Sequence, residues 1–281
     1  MDKFAIIVKS YSPDAKRARR CIESLHKHNK DNLPIYLVIK KEEESYFKQV
    51  FGNTVVDIVY DEQIAITPVL PGWLYQQIIK SQFWVTNLAE NYATVDSDVV
   101  FFKDFYLEDW MFDQETPYIV MGERKDFLDE AYLLNRVGVH KDLQGRDMLG
   151  ARITKAIKAI REFIPNNTPK FFDYGTGPYI FNSEVWKLFK ESFLDVNNMT
   201  FTDLAIRLDS QGIMSESSLY GEFYLYCNLK RVVPVSPYVK CYHDEAHYKW
   251  DIEQGRTLED LKLNWFGYAL QSNWSEEDKV L

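Results

Sequence analysis

The chain has 281 residues, of which 46% are hydrophobic and 27% charged, enough for a full core in one large domain or two small ones. Its net charge of −9 argues against a general nucleic-acid binder, which would present a basic surface. The cysteines, Cys21, Cys227 and Cys241, have no metal or disulfide spacing, and no stretch reaches the ~18 apolar residues of a membrane span, which fits a soluble cytoplasmic protein.

The apolar run at residues 4–8 is too short for a signal peptide and predicts a buried strand. Pro13 and Asp14 open a helix predicted to reach His28. A second strand is predicted over 35–39, a charged helix over 42–51, and a third strand over 55–60. A loop with Pro68, Pro71 and Gly72 leads into a helix over 74–88, and a fourth strand over 92–95 runs straight into Asp96. Such alternation, with near-continuous apolar strands, indicates a parallel sheet covered on both faces. Ligands bind such sheets at the carboxyl ends of the strands. Polar groups stand at three of those ends: Ser10 with Tyr11, Asp61 with Glu62, and Asp96-Ser97-Asp98. The second half is less regular. A strand is predicted over 118–121, a long helix over 142–164 and a short strand over 179–181. Helices follow over 183–191, 201–209 and 217–228, then a strand over 232–235. No repeat or linker interrupts the chain, which predicts a single domain over 1–281.

Residues two apart on an extended strand point the same way, so Asp96 and Asp98 can face one small volume. Two carboxylates between apolar runs are costly unless they bind something, and hard oxygen ligands suit Mg²⁺ or Mn²⁺. On the preceding helix, Trp73, Gln77, Lys80 and Trp84 share one face, with Leu74, Ile78, Val85 and Leu88 forming an apolar stripe. Gln77 and Lys80 suit a sugar diphosphate, Lys80 as a point charge for phosphate. Tyr174-Gly175-Thr176-Gly177-Pro178 is a turn whose glycines allow close backbone approach to a ligand. Ser215 and Glu216 read as a helix start.

The segment 93–101, with Asp96-Ser97-Asp98 at its centre, resembles the D-x-D segment of GT-A glycosyltransferases. More narrowly, the chain resembles a family of bacterial polysaccharide glycosyltransferases long known only as a domain of unknown function. The likeness rests on residues 72–80, the triplet, residues 174–178, and Ser215-Glu216 with Tyr220-Gly221. It implies an α/β fold of the GT-A, Rossmann-like kind, with a nucleotide-sugar half over 1–104 and a less regular acceptor half over 105–281. It also implies transfer of a sugar from a nucleotide-diphosphate sugar to a bacterial surface glycan or lipid-linked acceptor. In this reading Asp96 contacts the ribose or a metal-bound water, and Asp98 ligates Mn²⁺ or Mg²⁺. Ser10, Tyr11, Asp61 and Ser97 complete the nucleotide side, and Thr176 and Gly177 line the sugar pocket. An inverting enzyme needs a carboxylate to take the acceptor proton, with Glu216 the first choice and Asp173 the second. Late histidines complete the metal shell in several GT-A families, which nominates His243. His243 and His247 also have zinc-like spacing, but no further ligands are evident.

Arg152, Lys155, Lys158 and Arg161 form a basic stripe opposite Ile153, Ile157, Ile160 and Ile164. An amphipathic helix over 152–164 fits peripheral contact with the inner face of a membrane, or else a plain solvated face. Two alternatives accompany the transferase reading. One is a non-catalytic glycan-binding or scaffolding protein on the same fold. The other is a sugar nucleotidyltransferase, disfavoured because Lys9-Ser10-Tyr11-Ser12-Pro13 stands where a Gly-rich phosphate loop is expected.

Overall fold

The computed structural model describes residues 1–123, 149–242 and 245–270. Strands β1 (Asp2–Lys9), β2 (Ile35–Ile39), β3 (Asp57–Tyr60) and β4 (Ala89–Asp96) run parallel. Helices α1 (Ala15–His28), α2 (Glu44–Phe51), the single turn α3 (Asp61–Ile64) and α4 (Gly72–Gln82) connect them. After β5 (Val99–Phe101) and β6 (Ile119–Val120) come α5 (Leu149–Phe163), β7 (Tyr179–Asn182), α6 (Ser183–Phe189), α7 (Phe201–Ser210) and α8 (Glu216–Cys227). The described chain closes with β8 (Pro234–Val235), β9 (Val239–Tyr242), α9 (Glu245–Glu253), α10 (Leu258–Lys262) and β10 (Gly267–Leu270). The main sheet has the order β3-β2-β1-β4-β7, with β7 antiparallel to β4.

The fold is therefore the expected helix-flanked α/β sheet. Strand alternation splits its side chains between two cores. Ala5 and Ile7 of β1 point into a cluster built with α4 to α8. Phe4, Ile6 and Val8 point the other way, onto α1, α2 and a second sheet of order β5-β10-β9. The predicted strands and helices of the first hundred residues are all present, with shifted ends. The strand predicted from residue 55 begins at Asp57, where pairing with Tyr36 of β2 starts, and Val55 before it is 82% exposed. The helix predicted to residue 88 stops at Gln82 and tightens into a 3-10 turn over Phe83–Thr86. Asn87, at φ 54°, ends it in the left-handed conformation that asparagine tolerates better than branched residues. Of the helix predicted over 142–164, residues 142–148 lie outside the described residues. The strands β9 and β10 were not predicted. Each is four residues long and paired only through tertiary contact, so neither has a periodic signal of its own.

The second half is tied together by one buried acid. Glu222 on α8 is fully buried. It accepts from Arg161 Nε at 2.7 Å, Tyr174 Oη at 2.7 Å and Asn166 Nδ2 at 2.9 Å. Arg161 also donates to the carbonyls of Thr168 and Lys170, at 3.0 and 2.6 Å. Replacing Glu222 by Ala leaves the guanidinium without its counter-ion and should cost about 3–5 kcal/mol, measured by urea denaturation. A loss below about 1 kcal/mol would show that the network is dispensable.

Candidate active site

Register fixes which side chains meet at the carboxyl edge of the sheet. Lys9 stands opposite both Val38 and Asp96, and Ile39 stands opposite Tyr60. The strand ends thus line up as Tyr60-Asp61, Lys40, Lys9-Ser10 and Asp96. Because β7 is antiparallel, with Tyr179 opposite Thr94, its first residue lies at this same edge. The turn at 174–178 therefore arrives beside Asp96.

Helix α4 crosses this edge and buries Gln77 and Lys80, whose relative exposures are 6% and 4%. Gln77 and Lys80 of the expected face are thus interior, whereas Trp73 at its start is exposed. Lys80 Nζ is ion-paired with Asp96 Oδ1 and lies 4.0 Å from Glu216 Oε1. Glu216 opens α8, where Ser215 Oγ caps the helix by accepting from the Ser218 amide. The Glu216 amide donates to Gln77 Oε1 at 3.1 Å. Burial works against the charge on Lys80, but Asp96, Glu216 and Asp98 hold its pKa above the ordinary lysine value. Burial raises the pKa of Glu216, with Lys80 opposing the rise. Asp98, in the turn between β4 and β5, is pushed from 3.8 up to about 7 by burial and by the neighbouring Asp96. Three carboxylates here share one ammonium.

A second ion pair sits further along the edge. Lys9 Nζ is 2.9 Å from Asp61 Oδ2, and both side chains are almost fully buried. Burial lowers the Lys9 pKa and raises that of Asp61, and each opposes the shift of the other. The Tyr75 ring lies 5.6 Å from Lys9 Nζ and 5.5 Å from Lys40 Nζ. Ser10 Oγ is buried without a hydrogen-bond partner among the described residues, whereas Tyr11 is half-exposed. Lys9 and Tyr75 were missed in the sequence. A lysine ending an otherwise apolar buried strand was the available signal for Lys9.

In the 174–178 turn, Asp173 Oδ1 accepts from the Gly175 amide at 3.0 Å, and Tyr179 Oη donates to the Gly175 carbonyl at 3.3 Å. Gly175 is required by its φ of 69° and by Val120, whose Cγ1 would lie 2.7 Å from an added Cβ. A Cβ on Gly177 would make only ordinary contacts, the nearest at 3.7 Å with the Thr94 carbonyl, so crowding does not require glycine there. Tyr179, also missed, has its pKa raised by burial, then by Glu216 and Asp96. The segments 174–178 and 220–221 meet directly. A Cβ on Gly221 would fall 2.0 Å from Tyr174 Cε1, so the ring rests on bare backbone.

Of the predicted site residues, the structure brings Gln77, Lys80, Asp96, Ser97, Asp98, Glu216, Thr176, Gly177 and Asp173 to the β4–β7 end of this edge, with Ser10 and Tyr11 following the neighbouring central strand β1 and Asp61 at the far end, after β3. His243 lies outside the described residues. Among the described residues, no group of three or more His, Cys, Asp or Glu could hold a metal. The basic stripe is not continuous. Lys155 and Lys158 are exposed, but Arg161 turns inward because buried Glu222 demands a counter-ion. The Arg152 side chain lies outside the described residues. No helix among the described residues is long and apolar enough to cross a membrane.

Residues 5–136 match a family of unknown function, DUF6492. A search of curated proteins gives no match. Among solved structures, the bifunctional glycosyltransferase WbbM superposes with a TM-score of 0.52 at 12% identity, covering 99% of this chain and 46% of WbbM. The chain thus spans about half the length of that protein. Mouse xyloside xylosyltransferase 1 superposes with a TM-score of 0.45 at 10% identity, covering 96% of this chain and 98% of the mouse chain. The WbbM likeness shows a fold shared with a glycosyltransferase.

The raised Asp98 pKa has a consequence for stability. Between 3.8 and about 7 the native state holds a proton that the unfolded state releases, so this group's contribution falls as pH rises through that window. In metal-free buffer, the stability of Asp98→Asn relative to wild type should rise across that window and level off above it. A pH-independent difference in urea midpoint would refute the shift.

Proposed function

We propose that the chain is a GT-A glycosyltransferase that moves a sugar from a nucleotide-diphosphate sugar to a glycan or lipid-linked acceptor. The observation that carries this reading is the gathering of Asp96, Asp98, Lys80 and Glu216 at the carboxyl edge of a parallel sheet whose fold is shared with WbbM. An acidic pair, a phosphate-compatible cation and a buried carboxylate are the groups such a transfer uses.

The acidic pair fits a divalent cation. Asp98 binds its proton unusually well, which marks a carboxylate that a cation would relieve. Asp96, at 46% side-chain exposure, is open to solvent. Asp96 and Asp98 would hold Mn²⁺ or Mg²⁺, with water and phosphate oxygens filling the shell and His243 the proposed additional ligand. Bound there, the metal would supply Lewis-acid neutralisation of the departing diphosphate.

The chain's own residues do the rest in this reading. Lys80 orients the diphosphate as a point charge, and Gln77 anchors the start of α8. Ser10, Tyr11 and Ser97 face the nucleoside, with Asp61 acting through Lys9. Thr176 and Gly177 border the sugar. Glu216 takes the proton of the acceptor hydroxyl in an inverting displacement. Burial raises its affinity for that proton, which is what a general base needs. Asp173, already accepting from Gly175, is the second candidate. A cytoplasmic protein at the inner face of the membrane, touching it through Lys155 and Lys158, fits a lipid-linked acceptor.

Thermal shifts with a panel of nucleoside diphosphates, with and without Mn²⁺, test the donor side. Stabilisation by one nucleotide that needs Mn²⁺ and is lost in Asp98→Ala is expected, and no response to any nucleotide sinks the reading. Once a donor is found, Glu216→Gln should lower kcat roughly a hundredfold or more with the donor's thermal shift retained. An unchanged kcat moves the base to Asp173. Nucleotide binding without turnover on any acceptor would favour a glycan-binding role.

A further inference from the structure

On the metal reading of Asp96 and Asp98, an incoming ion meets a cation already in place. Asp96 already carries a cation, the ammonium of Lys80. Lys80 lies 4.0 Å from a second carboxylate, Glu216. The three groups differ in their access to water. Lys80 is 4% exposed and the Glu216 side chain 9%, whereas that of Asp96 is 46% exposed. A buried ammonium cannot leave for solvent without exposing its whole stem, so before a donor binds its partners are these two acids. The backbone around it is held in place. Leu74, Ile78 and Ile79 anchor α4 in the core, and Gln77 Oε1 holds the first amide of α8. The freedom that remains is torsional. A lysine is a point charge on a flexible four-carbon stem, so a small swing from Asp96 toward Glu216 needs no backbone change.

We propose that Lys80 is a resident counter-ion that a divalent cation must displace from Asp96, and that Glu216 receives the displaced ammonium. The lysine then sets the metal affinity of the site and couples it to the carboxylate on α8. With the acidic pair empty of metal, Lys80 neutralises Asp96 and keeps adventitious cations weakly bound. When a divalent ion arrives, Glu216 gains a closer counter-ion, and the ammonium is turned toward the side from which Glu216 would act. Gln77 serves this exchange as a positioning residue, because it keeps the two ends of the lysine's path at fixed separation.

The test reads metal binding, with no turnover needed. Free Mn²⁺ is titrated by electron paramagnetic resonance against the full chain without nucleotide, for wild type, Asp98→Asn, Lys80→Met, Glu216→Gln and the Lys80→Met/Glu216→Gln double variant. Lys80→Met should tighten Mn²⁺ on the order of tenfold. Glu216→Gln should weaken Mn²⁺ in the wild-type background and have no effect in Lys80→Met, since it acts through the lysine. Equal effects of Glu216→Gln in both backgrounds would mean simple additive charge, and the exchange is then wrong. Unchanged or weaker binding in Lys80→Met also overturns it. Circular dichroism melts establish that each variant is folded, and Lys80→Gln, which keeps a polar head, replaces the Met variant if that one is not. If wild type binds Mn²⁺, Asp98→Asn abolishes binding and Lys80→Met changes nothing, only the exchange falls. If no folded variant binds Mn²⁺, the metal reading falls with it.

Discussion

A buried ammonium needs negative charge within a few ångströms, and meeting that need for Lys80 constrains much of this molecule. Asp96 comes from the end of β4, in the first half of the chain, and Glu216 from the start of α8, in the second. The helix bearing Lys80 must therefore lie between them, with its apolar residues in the core and its polar ones still inside the protein. Gln77 strengthens the same junction through the Glu216 amide. Beside the β4–β7 pairing and the shared core, the two halves meet through this ionic cluster, and the candidate site is there.

The other buried charges follow the same pattern. Lys9 answers Asp61 at the far end of the edge, and Arg161 answers Glu222 beneath the turn that carries Thr176 and Gly177. Each buried cation in these pairs faces an acid from a distant part of the sequence. Removing one member leaves the other unpaired in a poor solvent for charge, so the arrangement is stiff. Stiffness suits a site whose catalytic groups must be held before substrate arrives. The Glu222 network does this indirectly. It fixes Tyr174 against the bare backbone of Gly221 and so sets where the following turn can reach.

The alternation of apolar strands and amphipathic helices made the first hundred residues legible, because each element there has a period of its own. The acidic triplet was legible for a related reason, as a polar break between two apolar runs. Gln77 and Lys80 were visible as neighbours on a helix face, but their burial was not, since a helical stripe of amides and ammonium reads the same whether water or protein covers it. Arg161 shows the opposite failure. Its spacing placed it on a basic surface stripe, while the buried acid Glu222, 61 positions later, drew it inside.

The sequence by itself determined the sheet-forming half, the chemistry available at its strand ends and the place of the acidic pair, because these depend on local periodicity and on residues a few positions apart. Only the tertiary structure decided which charges neutralise one another. Pairing of Lys9 with Asp61, of Arg161 with Glu222 and of Lys80 with both Asp96 and Glu216 depends on strand register and helix packing, and electrostatic attraction in a buried site acts across space without regard to distance along the chain.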